Sequence, residues 1–245
     1  MAFIPGRRRR HLRCRTLGDV TAGTVPAQPP GAPLKPRMRG WIHFWSLVAS
    51  VAACAVLITL SAALVGGWAV LAISIYSVSI LGLFGTSALY HRRTWTSPRS
   101  KLVMRRLDHS MIFVFIAGTY TPFAMLAMPA ATSRWVLAVA WGGALAGVVL
   151  KVAWPHAPPW VGVPIYIALG WIAVFVLPDL LHNGGVAALV LLLVGGALYT
   201  VGAVFYATRW PDPWPRTFGF HEFFHAATAL AAICHQLAIW FVLFA

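Results

Sequence analysis

Three histidines, an aspartate and a serine have the types and spacing to build a metal site. His221 and His225 are four residues apart, so on a helix they lie one turn apart on the same face. Two imidazoles placed that way can bind one Zn²⁺ through nitrogens at about 2.0–2.1 Å. His91 closes the stretch Phe84-Gly-Thr-Ser-Ala-Leu-Tyr-His91 and is the best third ligand, with Ser87 one turn before it. Three protein ligands leave a fourth position for water, which marks catalytic rather than structural zinc. Asp108 follows a basic loop and would orient a histidine, or hold the water and relay its proton. Ser87 would hydrogen-bond that water or a substrate group.

Each residue also has a plainer role. Histidine pairs at this spacing occur by chance, and His91 beside Arg92-Arg93 suits a membrane interface. Asp108 can pair with Arg105 or Arg106, or favour a helix N-terminus. A helical serine commonly bonds back to a carbonyl. What sets the group apart is its setting. His91, Asp108, His221 and His225 are ionisable and border or enter segments long enough to span a bilayer, where such side chains are rare and mark function.

The elements that must position them follow from composition. Of 245 residues, 60% are hydrophobic and 10% charged, against about 25% charged in soluble domains. Apolar runs near the length of a membrane span recur between short polar breaks. The sequence predicts an all-α integral membrane protein, a bundle of seven transmembrane helices over residues 41–245. The spans fall near 42–65, 69–91, 107–129, 134–152, 161–181, 185–206 and 219–244. Gly66-Gly67, Pro129, Pro158-Pro159, Asn183-Gly-Gly185 and Pro211-Asp-Pro213 punctuate them.

Charge sets the expected orientation. Nine of the 19 Lys and Arg lie in residues 1–40 and six in residues 92–106. A cytoplasmic N-terminus puts every one except Arg134 on the inside, as the positive-inside rule requires. The C-terminus is then outside, and the chain sits in the plasma membrane. His91, Asp108 and His221 fall at one cytoplasmic depth, although the charge count took no account of them.

Residues 1–40 read as a disordered basic tail, with Arg7-Arg-Arg-Arg10 and then a Pro/Gly-rich stretch. No apolar run follows the arginines, so it is not a signal peptide. The tail and the 92–106 loop are expected to meet anionic lipid headgroups. No nucleic-acid-binding module accompanies the net charge of +14. Cys14, Cys54 and Cys234 have no paired spacing, and no disulfide is expected.

Among the remaining histidines, His235 is expected to be buried and hydrogen-bonded. His109 should point about 100° away from Asp108, and His43, His156 and His182 suit span ends. His221-Glu222-Phe-Phe-His225 also matches H-E-x-x-H, the zinc protease signature with Glu as base. No G-x-x-H continuation follows, and Leu107-Asp108-His109 lacks the glycine of the intramembrane proteases' L-D-G. A pore-side or interfacial carboxylate near Arg216 is the plainer reading of Glu222. The only lysines are Lys35, Lys101 and Lys151, so the last span has none for a retinal Schiff base.

Taken together, Ser87-x-x-x-His91, Arg105-Arg-Leu-Asp-His-Ser-Met-Ile-Phe with Ala117-Gly-Thr-Tyr-Thr-Pro-Phe123, and His221-x-x-x-His225 resemble the bacterial hemolysin III proteins. These belong with the progestin and adipoQ receptors, which include the adiponectin receptors. Lys35-Pro-Arg-Met-Arg-Gly-Trp-Ile-His43 is similar to the family's segment before its first span. The resemblance implies seven helices, a cytoplasmic N-terminus and zinc on His91, His221 and His225, with Ser87 and Asp108 beside the metal. In eukaryotic relatives that site is linked to hydrolysis of a ceramide amide bond, whereas the bacterial family name implies haemolysis. The expected function is zinc-dependent hydrolysis of a membrane lipid amide or ester, Asp108 relaying the proton and Ser87 stabilising the oxyanion. The competing expectations are a receptor or haemolytic protein with structural zinc, and an intramembrane zinc protease.

Overall fold

The computed structural model describes residues 35–245. The arginine run, Cys14 and most of the basic tail therefore lie outside the described residues. Helix α1 (Trp41–Leu60) ends in a π-helical turn at Ser61–Val65. Gly66, with φ 79°, then takes a backbone conformation open to glycine and turns the chain into α2 (Gly67–Arg92). Helix α3 (Pro98–Ala127) starts with proline at its first position, where the missing N–H has no intrahelical partner to lose. Prolines also precede or open α4 (Ala130–Ala153) and α5 (Pro159–Gly170). A 3₁₀ stretch, Trp171–Val176, leads into α6 (Leu177–Thr208), and α7 (Phe220–Leu243) closes the chain. An isolated bridge between Trp214 and Phe218 is the only β pairing among the described residues. The architecture is all-α.

Six helical runs among the described residues are long and apolar enough to cross a membrane. Helices satisfy their own backbone groups, as an interior without water requires. Large apolar side chains such as Val78, Leu145, Phe175 and Val186 face outward. Exposed Trp41, Trp68, Trp154, Trp160 and Trp210 stand at helix ends, where indole rings suit the membrane–water interface. The chain is a multi-pass integral membrane protein.

Two expected boundaries move. Asp108 was expected to open a span after a loop, but α3 begins at Pro98, so Asp108 sits nearly three turns inside it. Arg and Lys are good helix formers, and Pro98 gives the basic stretch a helical start. The fifth and sixth predicted spans form one helical run, Pro159–Thr208. It carries the 3₁₀ stretch and, at the predicted Asn183-Gly-Gly185 break, a non-helical Gly185 (φ 76°, ψ 174°).

Helix α3 is the axis of the bundle. In its most apolar stretch 67% of residues are buried, against 22% in α1. It divides the core in two. Tyr76, Phe84, Phe115, Phe123 and Ile239 pack on one side, and Phe113, Tyr120, Val136 and Leu169 on the other. Helices α6 and α7 approach closely because α6 presents Gly184, Gly195 and Gly202 to its partner, the small-residue packing favoured in membranes. A Cβ at Gly202 would stand 2.9 Å from that of Ala227. Gly202→Val should therefore destabilise the bundle by about 1–3 kcal/mol through overpacking, read as a lower melting temperature in detergent.

Candidate metal centre

The site forms where the starts of α1 and α7 meet the end of α2. Arg37 and Met38 donate backbone N–H groups to the carbonyls of Arg216 and Thr217, each at 3.1 Å. This pairing carries Arg39 to the first turn of α7, where its guanidinium forms an ion pair with Glu222. Glu222 is fully buried, and its Oε2 also accepts the Gly219 N–H at 2.9 Å. Gly40 has φ 80°, and a Cβ there would lie 2.8 Å from His91 Cβ and 2.9 Å from Arg92 Cγ. Glycine thus lets the chain pass against the end of α2. Arg92 covers the rings of Trp41 (3.9 Å) and Phe44 (4.3 Å), fixing α1 to α2 by cation–π attraction.

This arrangement brings His91, His221 and His225 together, with one ligand atom of each within 4.8 Å of the others. His91 Nε2 and His221 Nε2 are 3.2 Å apart. That spacing admits an N–H···N hydrogen bond, and it is also close to the separation of about 3.3 Å that a tetrahedral ion imposes on two nitrogens at about 2.05 Å. His225 is buried, and its Nδ1 has no hydrogen-bond partner. Such an orphan in a membrane interior fits a ring oriented by something other than a protein hydrogen bond. Two buried imidazoles and the partly buried one of His221 suit zinc and several other first-row ions, so the residues present fit the metal.

Asp108 Oδ2 lies 3.8 Å from His91 Nε2 and 3.3 Å from His109 Nδ1. His109 Nδ1 is also 2.9 Å from the Arg105 carbonyl oxygen. Both neighbours accept, so the Nδ1 proton of His109 is donated to them. His109 therefore faces Asp108 rather than away from it, because its imidazole folds back toward its own helix.

Ser87 is buried but does not reach the cluster as a free hydroxyl. Its Oγ lies 2.8 Å from His43 Nδ1. The His43 ring stacks on His225, with centroids 3.8 Å apart and planes 10° apart. His43 is the residue that position in the sequence assigned to an interface and the structure buries. The signal available was its place in the segment Lys35–His43, which resembles the family. Glu222 also differs from expectation, since it pairs with Arg39 rather than standing near Arg216.

The cluster opens on a cavity of about 170 Å³ whose lining follows α3 from Asp108 through Phe115 and Phe123 to Met128. Twenty helical residues rise about 30 Å, the thickness of a bilayer's hydrocarbon core. Its lining is mainly apolar, with His43, His91, Asp108, His109, His221 and His225 all among it.

Fold and site thus define a multi-pass membrane protein whose apolar cavity ends at three clustered histidines. The sequence model of the family described as "Haemolysin-III related" matches residues 32–236, and the chain belongs to that family. It is 32% identical over 164 residues to the hemolysin-3 homolog of Bacillus subtilis (strain 168), covering 67% of this chain and 76% of the relative. Hemolysin-3 of Bacillus cereus is 34% identical over 138 residues, 56% of this chain and 62% of the relative. A more distant relative is the heptahelical transmembrane protein ADIPOR2 of Oryza sativa subsp. japonica, 27% identical over 180 residues, 67% of this chain and 79% of the relative. The link to adiponectin-receptor-type proteins drawn from the motifs therefore holds.

Arg39 and Glu222 give a direct test of how the site is assembled. Arg39→Ala strands a buried carboxylate and should destabilise the protein by about 3 kcal/mol. Glu222→Gln removes the charge, keeps an acceptor for Gly219, and should be milder. Thermal unfolding of the two variants in detergent would check the order.

Proposed function

We propose that the protein binds zinc through His91, His221 and His225 and hydrolyses an amide or ester bond of a membrane lipid. The observation that carries this reading is the histidine cluster at one end of a long, mainly apolar cavity. Such a cavity suits an acyl chain, with the carbonyl held beside the histidines. Zinc in a three-histidine site supplies Lewis acidity and makes water nucleophilic near neutral pH.

The chain's own residues then have distinct tasks. Asp108, between His91 and His109, holds and passes a proton at Oδ2. His43 stacks on His225 and Ser87 fixes His43, so we assign Ser87 a positioning role rather than the oxyanion contact. Glu222 is committed to Arg39 and to the start of α7, which argues against a protease base.

We further propose seven crossings with a cytoplasmic N-terminus in the plasma membrane. A straight run of the 50 residues Pro159–Thr208 would measure about 75 Å, more than twice the hydrocarbon core. Splitting it at Gly185 gives two spans, and the rice relative's name is heptahelical. The basic residues support the orientation. Lys35, Arg37, Arg39 and Arg92 line a second cavity, where burial and then Arg39, Arg92 and Lys101 hold the Lys35 ammonium below the usual lysine range. Such crowding of cations suits an anionic lipid headgroup.

A second reading is a receptor or membrane-damaging protein in which the metal only ties α2 to α7. It draws on the hemolysin-3 names of the relatives and on the same histidine geometry. Purified protein offered a panel of lipid amides and esters separates the two. We expect fatty-acid release by the wild type and a loss of about a hundredfold or more in Asp108→Asn, as for removal of an acid–base group, with an unchanged melting temperature. No release by the wild type, or equal release by the variant, would favour the second reading.

A further inference from the structure

The cavity has a second polar station, far from the histidine cluster. His235 of α7 and Tyr199 of α6 both line it. His235 is buried, and its Nε2 lies 3.2 Å from the Leu192 carbonyl oxygen. A carbonyl only accepts, so Nε2 carries the proton and Nδ1 of the neutral ring presents a lone pair. That Nδ1 is buried without a partner, and so is the Tyr199 hydroxyl. The two rings meet edge to face with centroids 5.3 Å apart.

The placement is built into the helix pair. Any Cβ at Gly195 would overlap the His235 ring, so glycine is what lets the imidazole lie against α6. Thr200, another hydroxyl on the lining, already donates to the Gly196 carbonyl at 2.8 Å. One acceptor and one hydroxyl thus remain unmatched on one wall. Buried groups left so are costly, and lipid offers no substitute partner.

We propose that Tyr199 and His235 form a hydroxyl-binding subsite, which grips an alcohol on an elongated lipid whose carbonyl end lies at the histidine cluster. An alcohol matches both groups, donating to His235 Nδ1 and accepting from the Tyr199 O–H. A ketone or ester oxygen only accepts and would leave Nδ1 unmet, and a saturated chain satisfies neither. His225 and His235 are ten residues apart, about 15 Å along α7. The alcohol therefore sits well down the chain and not beside the carbonyl.

The subsite rests on the reading that the cavity holds a lipid, and one titration separates the two. Detergent-purified protein is titrated with a saturated fatty acid long enough to span from His225 to His235. The same titration is run with isomers carrying one hydroxyl at successive positions in the far half of the chain, and with the matching ketones. The wild type should prefer one hydroxy isomer over the parent acid by about five- to tenfold, and no ketone should gain as much. Tyr199→Phe should abolish that preference, leave affinity for the parent acid unchanged and not lower the melting temperature, since the lost hydroxyl has no protein partner. Equal binding of all hydroxy isomers and the parent, or a preference that survives Tyr199→Phe, would overturn the subsite while leaving the lipid cavity intact. Binding of none of the acids would overturn both.

Discussion

A carboxylate buried at the mouth of a membrane bundle must be neutralised, and Arg39 does this for Glu222. Much of the site depends on that pair. It draws the turn segment before α1 across the start of α7, and the two backbone hydrogen bonds to Arg216 and Thr217 fix its direction. Gly40 then passes over His91, and α1 begins with His43 pointing into the core. Four histidines from three helices meet as a result. The H-E-x-x-H spacing in this protein therefore carries a helix start and an ion pair.

The same constraint, that polar groups in a membrane interior need internal partners, shapes the cavity. At one end, imidazoles, Asp108 and His109 satisfy each other or are suited to a cation. Along the middle the wall is apolar, and at Tyr199 and His235 polar groups return. A chamber of this kind favours a long amphiphile over a compact polar solute, which unites the lipid-hydrolase reading with the far hydroxyl subsite.

Much of this was legible in the sequence. Apolar run length and sparse charge specify membrane helices, and Gly66, Pro129, Pro159 and Gly185 mark real turns or helix starts. The four-residue spacing of His221 and His225 places them on one face whatever surrounds them. What was hidden depends on contacts between distant segments. His43 looks interfacial because it stands three residues into a helix, and only the crossing of residues 35–40 over α7 buries it. The Arg39–Glu222 pair joins residues 183 positions apart, which no local pattern encodes. The early start of α3 was obscured because a basic stretch reads equally well as a loop or as the polar first turns of a helix.

The proposed chemistry requires the three histidines to hold a metal ion. Elemental analysis of detergent-purified protein, wild type beside a His221→Ala/His225→Ala double variant, tests it most directly. We expect about one zinc per wild-type chain and essentially none in the variant. Folded wild-type protein that was never exposed to chelator and carries no metal would contradict it, as would a double variant that retains zinc.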